Sequence, residues 1–296
     1  MDLKQIVLLA LQISILTTVF GFGLQATRGD LLYVVRRPGL LARSLLAVFV
    51  VMPVVAVLLF AIFDFPQMVG VALLALAISP VPPLLPNRER KAGGDESFGL
   101  GLMAILALTS IGTVPAALRL LAFFADRSLA IMPSALAAMV LKAVLAPLAA
   151  GVIVRFWLPT VAARLERPVS LIGKVLLPVA ALALVVPALP AISTLVGGGA
   201  VLAMAIFVVA GLGIGHLLGG PDPDHSVVVA LSTACRHPAM ALAILTTNFP
   251  EYHFGPLILL YLLVNGIAAI PYLKWQEKRI SAAHSSPTPS TTGRAR

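Results

Sequence analysis

The feature that most constrains this chain is a series of apolar segments, each about 20 residues long, that fills most of the sequence. As an α-helix, a segment of that length spans the roughly 30 Å hydrocarbon core of a bilayer. With 59% hydrophobic and 11% charged residues among 296, the composition is typical of a polytopic membrane protein. The predicted spans lie near residues 6–24, 44–63, 66–86, 98–124, 129–157, 169–193, 198–219, 226–248 and 254–273. We therefore predict an all-α polytopic membrane protein, surrounded by lipid, with about nine transmembrane helices.

The basic residues are distributed unevenly between the loops. Most of the 21 Lys and Arg residues fall on one side and in the C-terminal segment, whereas Lys4, Arg119 and Arg127 fall on the other. Cytoplasmic loops collect Lys and Arg, so the pattern predicts an outside N-terminus and a cytoplasmic C-terminus in a plasma membrane, namely a bacterial inner membrane. Residues 281–296 are rich in Ser, Thr and Pro and are predicted to form a disordered cytoplasmic tail. Because the basic residues lie in short loops, a nucleic-acid partner is not expected.

The eighth predicted span carries a fixed charge in the middle of its apolar run. Arg236 and His237 lie there, followed directly by Pro238, which has no N–H and breaks a helix. A charge at this depth costs about 2.5–3.5 kcal/mol on insertion scales, so ionisable residues there are functional hypotheses by default. Broken helices at membrane depth persist only when they are buried in protein or line a cavity. We therefore expect this break to lie at a binding site.

Prolines also interrupt the third predicted span, directly after Ser79. The prolines that exclude a continuous helix are Pro80, Pro82, Pro83 and Pro86, and Asn87 follows them. The third and eighth spans are five apart, an odd number, so the two broken helices enter the membrane from opposite faces, as in inverted-topology repeats. We predict one transporter domain at 1–275, with repeat one at about 1–125 and repeat two at about 129–275.

The candidate substrate-binding residues lie mainly at the two breaks. They are Ser79, Asn87, Lys142, Ser232, Thr233, Cys235, Arg236 and His237. The Arg236 guanidinium stays protonated and offers five donors that suit a carboxylate, sulfate or phosphate; alternatively, it anchors carbonyls freed by the broken helices. His237 either transfers protons or packs in the core. Lys142 either faces the same cavity or snorkels towards an interface.

Other charged and small residues leave further alternatives open. The run 87–91 is either an ordinary cytoplasmic loop or a basic vestibule that attracts anions. No Asp or Glu lies deep within a predicted span, so no carboxylate is expected to relay protons, and His237 remains for that role. Gly211, Gly215 and Gly219 fit a small-xxx-small helix contact.

Signatures of catalysis and of metal binding are missing from the sequence. There is no nucleophile with an apparent base, no HExxH motif, no Gly-rich nucleotide loop and no cluster of carboxylates. Cys235 is the only cysteine, which excludes an intramolecular disulfide and a cysteine-based metal cluster. We therefore expect no enzyme, cofactor or metal site.

Several short motifs together resemble those of the bile acid:sodium symporter family. They are Gly21 to Leu46 with its Arg36, Arg37, Pro38 turn; Val51, Met52, Pro53; Ser79, Pro80; Gly94, Asp95; and Arg236, His237, Pro238, Ala239 with Ala241, Leu242 and Ala243. The resemblance covers roughly residues 15–275. It implies a fold of nine or ten helices in two inverted repeats, which form interleaved core and panel subdomains. It also implies that the two discontinuous helices cross in the core.

At the positions where the resemblance places the family's sodium ligands, this chain carries other residues. Those positions are Val48, Leu85, Pro86, Gly99, Met103, Ser232 and Arg236. Arg236 is able to supply permanently the positive charge that a bound cation supplies in relatives. We therefore predict a secondary transporter of a small organic anion that works by alternating access and is not coupled to sodium through the usual sites. The coupling ion, proton or sodium, stays open, as do two alternatives: a non-transporting membrane sensor or scaffold, and a sodium symporter with relocated ligands.

Overall fold

The computed structural model describes residues 3–125, 129 and 131–285, and all regular structure within them is helical. The α-helices are α1 (Leu3–Gln25), α2 (Arg28–Tyr33), α3 (Pro38–Leu46), α4 (Met52–Ile62), α5 (Gln67–Ile78), α6 (Leu85–Lys91), α7 (Glu96–Ala125), α8 (Pro133–Val140), α9 (Ala146–Trp157), α10 (Pro159–Ser193), α11 (Ala200–Gly219), α12 (Pro223–Ala234), α13 (Pro238–Asn248), α14 (Gly255–Ala268) and α15 (Ile270–Ser285). Two π-helical segments join α3 to α4 and α8 to α9; they are Ala47–Val51 and Leu141–Leu145. A 3₁₀ turn, Val196–Gly198, precedes α11.

The helices confirm the predicted class of fold. Within the described ranges, eight helical stretches are long and apolar enough to cross a membrane. They correspond to every predicted span except the third, whose apolar part is the 12-residue helix α5. The protein is therefore an all-α polytopic membrane protein; the third predicted span is represented by the shorter apolar helix α5, which ends just before the prolines. Arg127, which helped to set the predicted orientation, lies outside the described residues.

Two helices extend beyond the limits predicted for them. Helix α10 begins at Pro159, ten residues before its predicted span, and its 35 residues measure about 52 Å at 1.5 Å each. That length exceeds the thickness of the bilayer core, so part of the helix must extend beyond it. Arg164 and Arg167 lie on the N-terminal turns of α10 and therefore not in a loop. Helix α15 ends at Ser285, so the first five residues of the predicted disordered tail are helical. Ala282 and Ala283 are strong helix formers, which accounts for the extension; residues 286–296 lie outside the described part.

The π-helical segment before Pro53 leaves a carbonyl group without a donor from its own helix. The Met52 N–H donates to the Ala47 carbonyl, five residues earlier. The Val48 carbonyl would therefore need the N–H of residue 53, and proline has none. A buried carbonyl must be paired elsewhere.

The helices pack in two groups. Helix α1 packs on α9 and α10, and with α8 these form the α1/α10 group. The remaining helices, α2–α7 and α11–α15, form the crossing group, in which α11 packs on α12 and α14, α13 packs on α5, and α6 lies between α7 and α12. Contacts of α10 with α14 and of α7 with α8 join the two groups.

Glycines bring two helix pairs into backbone contact. A Cβ at Gly23 of α1 would stand 2.3 Å from a carbonyl oxygen of α9. On α11, a Cβ at Gly211, Gly215 or Gly219 would stand 2.7, 2.5 or 2.5 Å from a Cα atom of α12. The predicted small-xxx-small contact is therefore present, and its partner is the first half of the second broken helix.

Candidate functional site

The two broken helices meet at their breaks. The His237 N–H donates to the Pro80 carbonyl oxygen at 2.8 Å. The Pro80 carbonyl cannot accept a hydrogen bond from the residue three positions later, because Pro83 has no N–H. Each break therefore supplies a partner for a backbone group that the other leaves unpaired, which satisfies the rule for irregular backbone at membrane depth.

Arg236 lies at this crossing and is almost fully buried, with 1% of its surface exposed. One terminal nitrogen of its guanidinium donates to the Ser79 carbonyl at 3.2 Å, and the other donates to the Val48 carbonyl at 3.1 Å. Proline deprives both carbonyls of helical donors: Pro82 and Pro83 follow Ser79, and Pro53 stands where the Val48 carbonyl would need an N–H in the π-helical register. The side chain thus joins three segments, namely the end of α5, the π-helix and the second break.

These hydrogen bonds bear on the two interpretations of Arg236. Its terminal nitrogens hold carbonyls freed by prolines, as the anchor interpretation requires, and its Nε is buried without a hydrogen-bond partner. The guanidinium is not open to an anion from solvent in this arrangement. Its positive charge nevertheless remains at the crossing, where a low local dielectric lets it act over a distance.

Two polar residues of α14 complete the second break, and the sequence interpretation did not include them. The Tyr261 hydroxyl accepts from the Arg236 N–H at 2.7 Å and donates to the Ala234 carbonyl at 3.1 Å. The Asn265 amide also donates to that carbonyl, at 3.2 Å, and its oxygen lies 3.4 Å from the Cys235 thiol. Tyr261 and Asn265 are four residues apart in an apolar span, a spacing that places both side chains on the same face of a helix. This spacing is the feature of the sequence that could have identified them.

The hydroxyl and imidazole groups predicted at the breaks are mostly engaged with backbone. Ser79 and Thr233 donate to the carbonyls four residues earlier in their own helices. His237 caps α13: its Nδ1 accepts from the Met240 N–H at 3.4 Å. A capping acceptor must be unprotonated, so this geometry matches the structural interpretation of His237 rather than a proton carrier.

Glu89 is the chief residue that the sequence interpretation missed. It is 2% exposed, and the Ser232 hydroxyl donates to its Oε1 at 2.9 Å. Its Oε2 is buried without a hydrogen-bond partner. The sequence led us to expect no carboxylate deep within a predicted span; Glu89 lies outside the predicted span 66–86, yet its carboxyl group is buried in the protein. The sequence did not indicate this burial because Glu89 stands in a run of basic residues that follows the positive-inside rule, and only the helical geometry of α6 turns it inward.

The charged run 87–91 forms the short helix α6, whose side chains point in different directions. Arg88 faces α14 and donates to the side-chain oxygen of Asn265 at 2.7 Å and to its backbone carbonyl at 3.2 Å. Glu89 faces α12. Arg90 and Lys91 face the opposite way, towards α1 and α10. The run is therefore neither a plain loop nor wholly a vestibule.

A basic cavity of about 390 Å³ lies between α1, α6 and α10. Among the described residues, its lining carries three cations, namely Arg90 and Lys91 of α6 and Lys174 of α10, and no acidic residue. The polar residues around them are Thr18, Gln25, Asn87 and Ser170, and the larger apolar ones are Phe22, Leu177 and Pro178. Gln25 and Asn87 accept from Arg90 at 3.4 and 3.2 Å and hold it in place.

A second cavity adjoins the basic cavity along α10. It measures about 670 Å³, shares Gln25, Arg90 and Lys174, and adds Arg167 and Glu166. Arg167 belongs to the part of α10 that extends beyond the predicted span. A continuous basic surface therefore runs along α10 to the space between the two helix groups.

Two predicted residues occupy different positions from those expected. Lys142 is exposed on the second π-helical segment and is not among the hydrogen-bond partners of Arg236, so the structure does not bring it to the crossing. Its place along the span left both its depth and its direction around the helix open. Pro86 is the second residue of α6 and so begins that helix rather than breaking one, because the first turn does not need its N–H.

Comparison with known protein families matches residues 12–218 to the Sodium Bile acid symporter family. The match covers more than two thirds of the chain, from α1 almost to the end of α11, and includes the first broken helix. Comparison with curated proteins gives no match.

Proposed function

The chain belongs to the Sodium Bile acid symporter family, and from that premise we propose that it is a secondary transporter that carries a small organic anion across the membrane by alternating access. The observation that carries this proposal is the basic cavity between α1, α6 and α10. Its volume of about 390 Å³ lies within the usual range for small-ligand sites. The three cations of its lining outnumber the nearby carboxylate of Glu96, which lies 3.8 Å from Arg90; this excess of positive charge favours an anion, and the adjacent apolar residues favour an organic one.

The cavity's position supports alternating access. It lies between the α1/α10 group and the crossing group, so movement of one group against the other would open and close it. In inverted-repeat transporters, alternating access is largely a rigid-body movement of one unit, a repeat or helix bundle, against the other. The hydrogen bonds of Arg236 to Ser79 and Val48 make the crossing such a unit, and we assign the predicted core subdomain to the crossing group and the panel subdomain to the α1/α10 group.

Arg236 and the basic cavity have separate roles in this proposal. Arg236 holds the crossing together and contributes a permanent positive potential, while Arg90, Lys91 and Lys174 contact the anion. Residues other than the family's oxygen ligands stand at Val48, Leu85, Pro86, Gly99 and Met103, which supports transport without sodium at the usual sites. Because Lys and Arg collect on the cytoplasmic side, the cavity opens towards the cytoplasm of a bacterial inner membrane.

Counterflow in proteoliposomes tests the function. Liposomes with purified protein are loaded with unlabelled pyruvate, succinate or taurocholate, and uptake of the same labelled compound is measured against a labelled neutral sugar. We expect exchange of at least one anion. Removal of a charged donor costs about 1.5–3 kcal/mol, so Lys174→Gln should raise the half-saturation concentration by about 10- to 150-fold.

The matched control is Lys278→Gln, which changes an exposed lysine of α15 and should leave exchange unaltered. If an anion binds with a Lys174-dependent affinity but is never exchanged, the sensor or scaffold alternative replaces the transporter. If neither binding nor exchange depends on Lys174, the basic cavity is not the substrate site.

A further inference from the structure

The buried carboxyl group of Glu89 has one oxygen without a partner. Ser232 donates to Oε1, while Oε2 points at the backbone of α7. There the sequence has Gly99, and a Cβ at that position would stand 2.5 Å from Oε2. The glycine thus leaves room for the carboxyl group; the same Cβ position would lie 3.9 Å from the apolar side chain of Val228.

A small cavity of about 50 Å³ adjoins Glu89, where α6 and the start of α7 face α1. It has room for a few water molecules and is lined by Asp30, Glu89, Asp95 and Glu96, together with Arg90 and Gly99. The other three carboxyl groups have partners. Asp30 accepts from Ser97 and from the Thr27 N–H, Asp95 accepts from the Phe98 N–H, and Glu96 lies 3.8 Å from the Arg90 guanidinium.

The partners of Asp30 keep it ionised, in contrast to Glu89. Burial by itself raises the pKa of Asp30, but hydrogen bonds from Ser97 and Thr27 outweigh it and leave that pKa below its ordinary value. Glu89 has a single neutral hydroxyl as its partner. A buried carboxylate without a cation or further donors costs several kcal/mol, so the site favours a neutral acid or an added cation.

We propose that Glu89 is the group that binds and releases a coupling proton during transport, an inference that rests on the transport function proposed above. A proton from water in the small cavity binds Oε2 and converts the carboxylate into a neutral acid; the same O–H bond breaks when the group releases the proton. A hard metal cation needs several oxygen ligands, and the described residues contain no group of three or more His, Cys, Asp or Glu side chains placed to hold one. A proton needs no ligand shell.

Other titratable and charged groups lie around Glu89 and influence how readily its carboxyl group binds a proton. They are Asp30 of α2, Arg88 and Arg90 of α6, Asp95 and Glu96 at the start of α7, Asp224 and His225 at the start of α12, and Cys235 and Arg236 at the second break. Arg88 is directed at Asn265 and Arg236 at two carbonyls. Arg88 and Arg236 therefore donate to groups other than Oε2. Protonation remains the way in which the charge of the carboxyl group is neutralised.

Infrared difference spectroscopy tests the protonation without any substrate. Spectra of the protein in lipid are recorded between neutral and alkaline buffer, in H₂O and D₂O. We expect the C=O stretching band of a protonated carboxyl group in the wild type, and its loss in Glu89→Gln. Glu277→Gln, which changes an exposed carboxylate of α15, should retain the band. A band that is missing from the wild type, or unchanged in Glu89→Gln, overturns the proposal.

Transport driven by a pH gradient tests the coupling. With pyruvate, succinate or taurocholate as the labelled probe, we expect accumulation in the wild type that Glu89→Gln abolishes while counterflow continues. Accumulation that follows a sodium gradient and persists in Glu89→Gln overturns the inference. If no probe is exchanged even by the wild type, the transport function fails, while the infrared result still decides whether Glu89 holds a proton. If Glu89→Gln does not fold, Ser232→Ala keeps the carboxyl group and should shift its band.

Discussion

Replacement of Arg236 by lysine separates the hydrogen bonds of this residue from its charge. Arg236→Lys keeps the positive charge, so the cost of burying a cation is similar in both proteins. The ammonium is a single nitrogen on a shorter side chain and cannot span the two carbonyls of Ser79 and Val48 as the guanidinium fork does. At least one buried carbonyl loses its donor, which costs about 1–3 kcal/mol.

Cys235 provides the assay, because it is the only cysteine, lies beside Arg236 and is 4% exposed. A fluorogenic maleimide labels it only when the crossing opens, so the labelling rate reports the free energy of opening. A loss of about 1–3 kcal/mol corresponds to labelling about 5- to 150-fold faster. Rates are normalised to those of the denatured protein, which corrects for a change in thiol reactivity next to the substitution.

The control is Arg164→Lys, the same substitution at an exposed position of α10, which should label at the wild-type rate. A second variant identifies the carbonyl concerned. Pro53→Ala restores an N–H that the Val48 carbonyl is able to accept, so Arg236→Lys should cost less in that background. Labelling of Arg236→Lys within twofold of the wild type would refute the anchor role.

Two further predictions use the same labelling assay. A Cβ at Gly215 would stand 2.5 Å from the Ala230 Cα, so Gly215→Ala should force α11 and α12 apart. We expect this to destabilise the crossing by about 1–3 kcal/mol and to accelerate labelling. Gly213→Ala is the control, because a Cβ at Gly213 meets nothing within 4 Å and should leave the labelling rate unchanged. Tyr261→Phe leaves the Arg236 N–H without the acceptor that it has at 2.7 Å and should accelerate labelling to an extent that corresponds to about 1–3 kcal/mol; an unchanged rate would show that the hydroxyl is dispensable.

The sequence predicted the helices and the two breaks because both follow from local properties. Apolar length determines a span, and proline removes a backbone donor wherever it stands. The π-helical shift before Pro53 was not predicted, since it depends on how the chain accommodates the proline. For the same reason, the sequence did not show that the Val48 carbonyl would need Arg236 as its donor.

The directions of side chains around a helix were the part that the sequence left undetermined. In α6, consecutive residues are about 100° apart, so Arg88, Glu89 and Arg90 reach three different surroundings. Their partners on α12 and α14 lie more than 140 residues away in sequence. The resemblance drew attention to Ser232 as a position without a carboxylate, whereas the structure shows a carboxylate there that comes from the facing helix. Lys142 shows the same limit, because its direction around the helix was not predictable from the sequence.

The measurement that tests the proposed transport site most directly is a structure with a bromine-substituted organic carboxylate bound. Anomalous scattering from the bromine would locate the anion independently of its shape. We expect its density in the basic cavity, with the carboxylate within hydrogen-bond distance of Arg90, Lys91 or Lys174. Density only at another position, such as the apolar groove near Phe60 and Phe249, or density that persists at the same occupancy in Lys174→Gln, would contradict the assignment of this cavity.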